Sequence, residues 1–306
     1  MRFCSAQTYL RRMQNRRALI ALAVAGLAWG LTVPMTKVVL GWIDPAWTTV
    51  ARFGLAAPVL AFFARHHLRA AATPAIAAWG AAGFGAVIVL QNVAIERTSV
   101  THAAVILGAV PVMVALVTLA LGRASAGPRA WTGFAAALAG IGLVAGTGGN
   151  ASASGDGLML ASAAVSAALI VAQARLLPGR DPVAVTAVQM AAAAVAVLPI
   201  ALLAGDAPSA APTAEQLVAG LGLVTVGSLV PFTLYAWGQA RTSPEVAGAF
   251  VNLEPLVGVG IGALAFGDPM GGAGLLGGVA ILAGIALSAL PDGPAFSTFR
   301  LRRTRC

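Results

Sequence analysis

The stretch that decides the fold reads Arg241-Thr242-Ser243-Pro244-Glu245-Val246-Ala247-Gly248-Ala249-Phe250-Val251-Asn252-Leu253-Glu254-Pro255. It has a counterpart 144 residues earlier, where Arg97-Thr98-Ser99 leads to Pro111 at the same spacing. The same offset carries Leu138-Ala139-Gly140-Ile141 onto Leu282-Ala283-Gly284-Ile285. Three matches at one offset define an internal repeat. Beyond Arg241-Thr242-Ser243 the chain stays largely apolar over 244–266, about the length a helix needs to cross roughly 30 Å of hydrocarbon.

Similar runs recur on both sides of it, at 18–40, 45–64, 74–95, 99–121, 128–147, 156–176, 182–204, 215–239 and 271–291. They are too long for membrane strands and lack a strand's alternation, so they predict helices, in which the backbone satisfies its own polar groups. Each repeat holds five runs. Five is odd, so the second repeat enters the membrane from the opposite side, the arrangement of inverted-repeat secondary transporters. The expected fold is all-α and integral to the membrane, with ten transmembrane helices as two inverted five-helix repeats. These are 18–147 and 156–291, joined by a Gly/Ser-rich loop at 148–155 and flanked by basic tails at 1–17 and 292–306.

Composition agrees. Of 306 residues, 59% are hydrophobic and 9% charged, against roughly 25% charged in soluble domains. The net charge of +9 invites a nucleic-acid reading, which its placement excludes. Arg2, Arg11, Arg12, Arg16 and Arg17 precede the first run, and Arg300, Arg302, Arg303 and Arg305 follow the last. Alternate loops hold Arg65 and Arg69, Arg123 and Arg129, Arg175 and Arg180, and Arg241. With the tails, one side then carries 16 of the 19 basic residues. The opposite loops hold Asp44, Glu96, Asp156, Asp206, Glu215 and Asp268. The positive-inside rule therefore predicts both termini in the cytoplasm, an inner-membrane location and membrane lipid as a partner of the basic ends. Ala23-Val24-Ala25 resembles a weak cleavage site, but the apolar run continues past it, so it is taken as part of an uncleaved first helix.

The motifs of soluble catalysis are missing: there is no HExxH, CxxC, GxSxG or P-loop. Cys4 and Cys306 lie in opposite tails and form neither a disulfide framework nor a metal site. No cofactor or metal is expected. The chemistry-bearing candidates are polar residues inside apolar runs. Glu254 sits mid-run before Pro255, which removes a backbone hydrogen bond and disfavours the α conformation at the residue before it. A midplane carboxylate is expensive unless paired, protonated or hydrated. A substrate or coupling site and a structural hinge both suit it. Arg52, inside the second run, must find a cavity, a carboxylate or backbone carbonyls; substrate binding and structural anchoring both fit.

Lys37 lies one turn from the end of the first run and is expected to snorkel to the surface. Gln91, Asn92, Gln173, Gln189 and Asn252 suit either inter-helix hydrogen bonds or a cavity wall. Gln189 stands in the seventh run where Arg52 stands in the second. Trp29 and Tyr235 lie away from the interfaces, where packing or cavity lining replaces the usual aromatic belt. His102 suits a satisfied polar role. Gly26-x-x-x-Gly30 would let helices approach closely.

Taken together, Trp29-Gly30, Arg52-Phe53, Arg241-Thr242-Ser243 leading to Leu253-Glu254-Pro255, Gly267-Asp268 and Leu276-Gly277-Gly278 resemble the EamA-type transporters of the drug/metabolite transporter superfamily over about residues 18–291. The first half departs from the pattern with Gly122-Arg123 and Val110-Pro111, which leave Glu254 without a symmetric acid. The resemblance implies a secondary transporter for a small-molecule substrate, an exporter of amino acids or related metabolites. It also implies a cavity between helices one to four and six to nine. Helices five and ten would be peripheral, where relatives use them for dimer or bundle packing, so a homodimer is among the implied arrangements. Read from the residues themselves, the candidate substrate-binding set is Trp29, Arg52, Gln91, Gln189, Tyr235, Asn252 and Glu254.

Two other classes compete. A membrane-embedded lipid-modifying enzyme would gather several His, Asp or Glu side chains at one depth, and one midplane acid with three histidines is sparse for that. A non-transporting scaffold would be expected to carry a soluble module, for which the loops are too short.

Overall fold

The computed structural model describes residues 2–98, 103, 106–122, 127–145, 152–206, 210–265 and 272–289. His102, Asn150-Ala151, Gly267-Asp268, Arg123 and Cys306 lie outside them. Among the described residues all regular structure is helical. In chain order the helices are α1 Arg2–Trp29, α2 Thr32–Val39, α3 Pro45–Phe63, α4 Leu68–Ala71, α5 Pro74–Trp79, α6 Ala86–Arg97, α7 Val110–Ala120 and α8 Pro128–Ala145. There follow α9 Ala153–Leu176, α10 Pro182–Ala204, α11 Ala214–Val224, α12 Val230–Gln239, α13 Pro244–Val251, α14 Leu253–Ala265 and α15 Gly272–Ala289. Two π-helical turns, Gly80–Gly85 and Thr225–Leu229, join α5 to α6 and α11 to α12.

Among the described residues six helical stretches are long and apolar enough to cross a membrane: Arg16–Val39, Pro45–Phe63, Pro74–Arg97, Ala153–Leu176, Pro182–Ala204 and Ala214–Gln239. Phe63, Leu203 and Leu264, each at least 75% exposed, point outward. Such exposure suits hydrocarbon as the surrounding solvent and would be a liability in water. The apolar runs 18–40 and 244–266 are not single helices. The first breaks at Gly30–Leu31 and the second at Asn252. Pro34 and Pro255 lack the N–H that would bond back across each break, so the helix restarts instead.

Four helix starts follow one recipe. Asp44, Thr73, Asp181 and Ser243 each accept a backbone N–H from the first turn, and each is followed by proline at the first helical position. The side-chain acceptor satisfies an orphan donor, and proline needs none.

Packing pairs the helices in a regular way. α1 lies on α12, and α9 on α6; α3 lies on α10, and α8 on α15. Gly26 and Gly30 allow α1 to approach the α13–α14 break. A Cβ on Gly26 would run into the carbonyl of Phe250, and one on Gly30 into the Val257 side chain. The expected Gly-x-x-x-Gly close approach is thus present, and it sets Trp29 beside Glu254's helix. Asn92 ties α6 to the start of α3, donating from Nδ2 to the Pro45 carbonyl and to Thr49 Oγ1, both at 3.0 Å.

Lys37 departs from the expected snorkelling. Its Nζ donates to the Ile95 carbonyl at 2.7 Å, at the C-terminal end of α6. The last carbonyls of a helix have no partners within it, and here they offer the ammonium a nearer acceptor than water.

Candidate functional site

α3 delivers a guanidinium into the interior. Arg52 is 4% exposed. Its Nε donates to Ser228 Oγ and its Nη2 to the Gly227 carbonyl, both at 2.6 Å. Both acceptors belong to the π turn between α11 and α12. A π turn shifts the i→i−4 register by one residue, and the side chain of α3 fills the gap. Ser228 Oγ in turn donates to the Leu223 carbonyl at 2.8 Å. The guanidinium carbon also lies 5.7 Å from the Phe53 ring centre and 5.9 Å from that of Phe232, within cation–π range.

α14 delivers the opposite charge. Glu254, 7% exposed, is the second residue after the Asn252 break, not the middle of an unbroken helix. Among the described residues its carboxylate has no hydrogen bond and no ion pair. Arg52 and Glu254 nonetheless interact electrostatically.

Both charges line one cavity of about 90 Å³. Four aromatic side chains stand in its walls among aliphatic ones. Trp29 packs 4.9 Å from Tyr235 and 5.1 Å from Phe232 between ring centres, and Phe232 packs 4.7 Å from Phe84. Phe84 comes from the first π turn and Phe232 follows the second, so both π turns build the cavity. Polar groups face it as well. Tyr235 and Gln173 are among its lining residues, and among the described residues the Tyr235 hydroxyl and Gln173 Oε1 have no hydrogen-bond partner.

Of the seven expected site residues, Trp29, Arg52, Gln91, Tyr235 and Glu254 line this cavity; Gln189 and Asn252 do not. Gln189 is completely buried. Its Oε1 accepts from Gln173 Nε2 at 2.9 Å, so it holds Gln173 and Gln173 faces the cavity. The cause is close packing at Gly80, where a Cβ would stand 2.5 Å from the Cα and carbonyl oxygen of Gln189. Asn252 is spent on the helix break, its backbone N–H bonding the Ala249 carbonyl at 3.2 Å, while its buried Oδ1 has no partner among the described residues.

Sequence reasoning missed Ser228, Phe84 and Phe232. A serine and two phenylalanines in apolar runs carry no signal alone. Gly227 beside Ser228, matching Gly83 beside Phe84 at the 144-residue offset, was the available hint.

A single family model matches this chain twice, over residues 16–146 and 153–290, and describes the EamA-like transporter family. The chain belongs to that family. As a member it is a multi-pass membrane protein, in keeping with its apolar helices. It is 25% identical over 253 residues to an uncharacterized transporter of Archaeoglobus fulgidus, covering 79% of this chain and 86% of that protein. A protein of known crystal structure superimposes with a TM-score of 0.70 at 20% identity, over 89% of this chain and 96% of the other. That likeness concerns the fold alone.

Proposed function

We propose that this family member is a secondary transporter that exports small zwitterionic metabolites, amino acids or their relatives, across the inner membrane by alternating access. The observation that carries the reading is the unpaired opposition of Arg52 and Glu254 in one aromatic cavity. Two opposite buried charges that share a cavity without a direct ion pair recover little of the cost of leaving water. A ligand bearing a carboxylate and an ammonium would relieve both charges at once, the carboxylate at Arg52 and the ammonium at Glu254. The apolar part would lie against Trp29 and Phe232.

Ten spans in two inverted repeats, with both termini cytoplasmic, accompany this reading. Several features favour that topology. The family model matches the two halves separately. The contacts of α1 with α12 and of α9 with α6 exchange under the repeat. The two π turns stand at corresponding positions. The Asp44-Pro45 and Asp181-Pro182 starts lie equally far before Arg52 and Gln189. Discontinuous helices at the midplane are where such transporters bind their cargo. Asn252 and the π turns would then be the places where rocking of the halves is absorbed.

The enzyme alternative finds less support. Among the described residues no group of three or more His, Cys, Asp or Glu side chains could hold a metal, and Glu254 is the one carboxylate lining the cavity. Purified protein in liposomes should accumulate members of an amino-acid panel when a pH gradient is imposed. Failure to move any zwitterion, with or without a gradient, would remove the proposal.

A further inference from the structure

Arg52 lines two cavities. The second, about 180 Å³, is a slot between the end of α2, α3 and α11. Its walls are mostly aliphatic, including Val39, Ile43, Leu55, Leu221 and Val224, and among the described residues Arg52 is the only charged one in its lining. Leu55 and Leu221, both more than half exposed, stand on the surface that faces hydrocarbon, so the slot opens sideways toward the bilayer. Arg52 lies seven residues into α3, about 10 Å below the start of the helix at 1.5 Å per residue. A phospholipid head at the membrane surface leaves a guanidinium at that depth unreached.

From this geometry we infer a binding site for a single-chain amphiphilic carboxylate, its head on Arg52 and its tail leaving between Leu55 and Leu221. Charge complementarity selects the head. Arg52 Nε and Nη2 are held by Ser228 and Gly227, and Nη1 has no hydrogen-bond partner among the described residues. One edge of a fixed guanidinium is therefore presented to an anion in an environment with little competing water, where a charge-assisted hydrogen bond is strong. Aliphatic walls select the tail. Because the same guanidinium faces the central cavity, an acid in the slot competes with a carboxylate in the cavity, which makes the slot an inhibitory site.

The site is tested by equilibrium binding, so transport need not be assumed and its failure is a separate result. Trp42 lines the slot and reports on it. Purified protein in lipid nanodiscs is titrated with 2-bromoundecanoate, whose bromine beside the head stays within the slot and quenches tryptophan, and in parallel with 2-bromoundecan-1-ol. The acid is expected to quench saturably and the alcohol to bind at least about tenfold more weakly, with Trp42→Phe removing the saturable component. Gly220 also lines the slot, and a Cβ there meets nothing within 4 Å. Gly220→Leu should therefore fill the slot without disturbing the helix and abolish the saturable quenching. Arg52→Gln should reduce the acid to the level of the alcohol. Gly220→Leu and the acid–alcohol comparison decide the matter even if Arg52→Gln does not accumulate. Equal titration by acid and alcohol, or unchanged acid binding in Gly220→Leu, would overturn the site and leave a crevice for lipid tails.

Discussion

Arg52 on α3 and Ser228 in the π turn of the α11–α12 stretch are joined by a 2.6 Å hydrogen bond from Nε to Oγ, across 176 residues of sequence. The bond places a cation of the first repeat in a helix irregularity of the second. Neither partner has an evident reason to be where it is without the other. The guanidinium needs acceptors, and the π turn supplies the Gly227 carbonyl and the Ser228 hydroxyl.

Removing the hydroxyl should therefore weaken the protein. Ser228→Ala leaves Arg52 Nε and the Leu223 carbonyl without this partner in a dry site, a loss of about 1–3 kcal/mol. The melting midpoint in detergent should fall, and Ser228→Thr, which keeps the hydroxyl, should fall less. An unchanged midpoint for the alanine variant would show that the bond contributes nothing.

Close packing at Gly80 should be sensitive to a single methyl group. A Cβ there would stand 2.5 Å from the backbone of Gln189, which cannot swing aside as a side chain would. Gly80→Ala should cost about 1–3 kcal/mol by overpacking. Gly142→Ala, where a Cβ meets nothing, should be neutral or stabilising by about 1 kcal/mol, since alanine is the better helix former. Thermal unfolding of the two variants side by side checks the contrast.

Among the described residues Glu254 makes no direct ion pair, and the proposed transport gives it a proton to carry. Glu254→Gln keeps the shape and removes titration. The variant should still exchange substrate across liposomes while losing accumulation driven by a pH gradient. Full gradient-driven accumulation by Glu254→Gln would eliminate a coupling role, and failure of the variant to fold would point to the hinge at Asn252.

Topology is open to direct labelling. Single cysteines at Ser154 and Asp206 should react with an impermeant thiol reagent added to intact cells, and cysteines at Arg69 and Arg180 should not. Reaction of all four from outside would be incompatible with ten spans and cytoplasmic termini.

Much of the architecture is legible in the chain because it depends on local, additive properties. Apolar run length, Asp-Pro, Thr-Pro and Ser-Pro starts, and loop charge act within a few residues of themselves, so the helices at 45–63, 182–204 and 214–239 begin and end close to where their composition says. Glu254 and Arg52 stand out for a similar reason: a charge in an apolar run is conspicuous and must be accommodated. The polar neutral residues were harder. Gln189 and Gln173 look alike in sequence, and which of them faces the cavity depends on how closely α10 approaches Gly80.

What the sequence by itself determined is the membrane as solvent, the helical class, the internal repeat and the two interior charges, all consequences of the cost of placing polar groups in hydrocarbon. What only the tertiary structure decided is the company those charges keep. The π turn that receives Arg52, the absence of an ion pair to Glu254 among the described residues, the aromatic side chains of the cavity and the lateral slot all arise from contacts between residues far apart in the chain. No local property of the sequence encodes the few ångströms of helix displacement that separate a paired charge from an unpaired one.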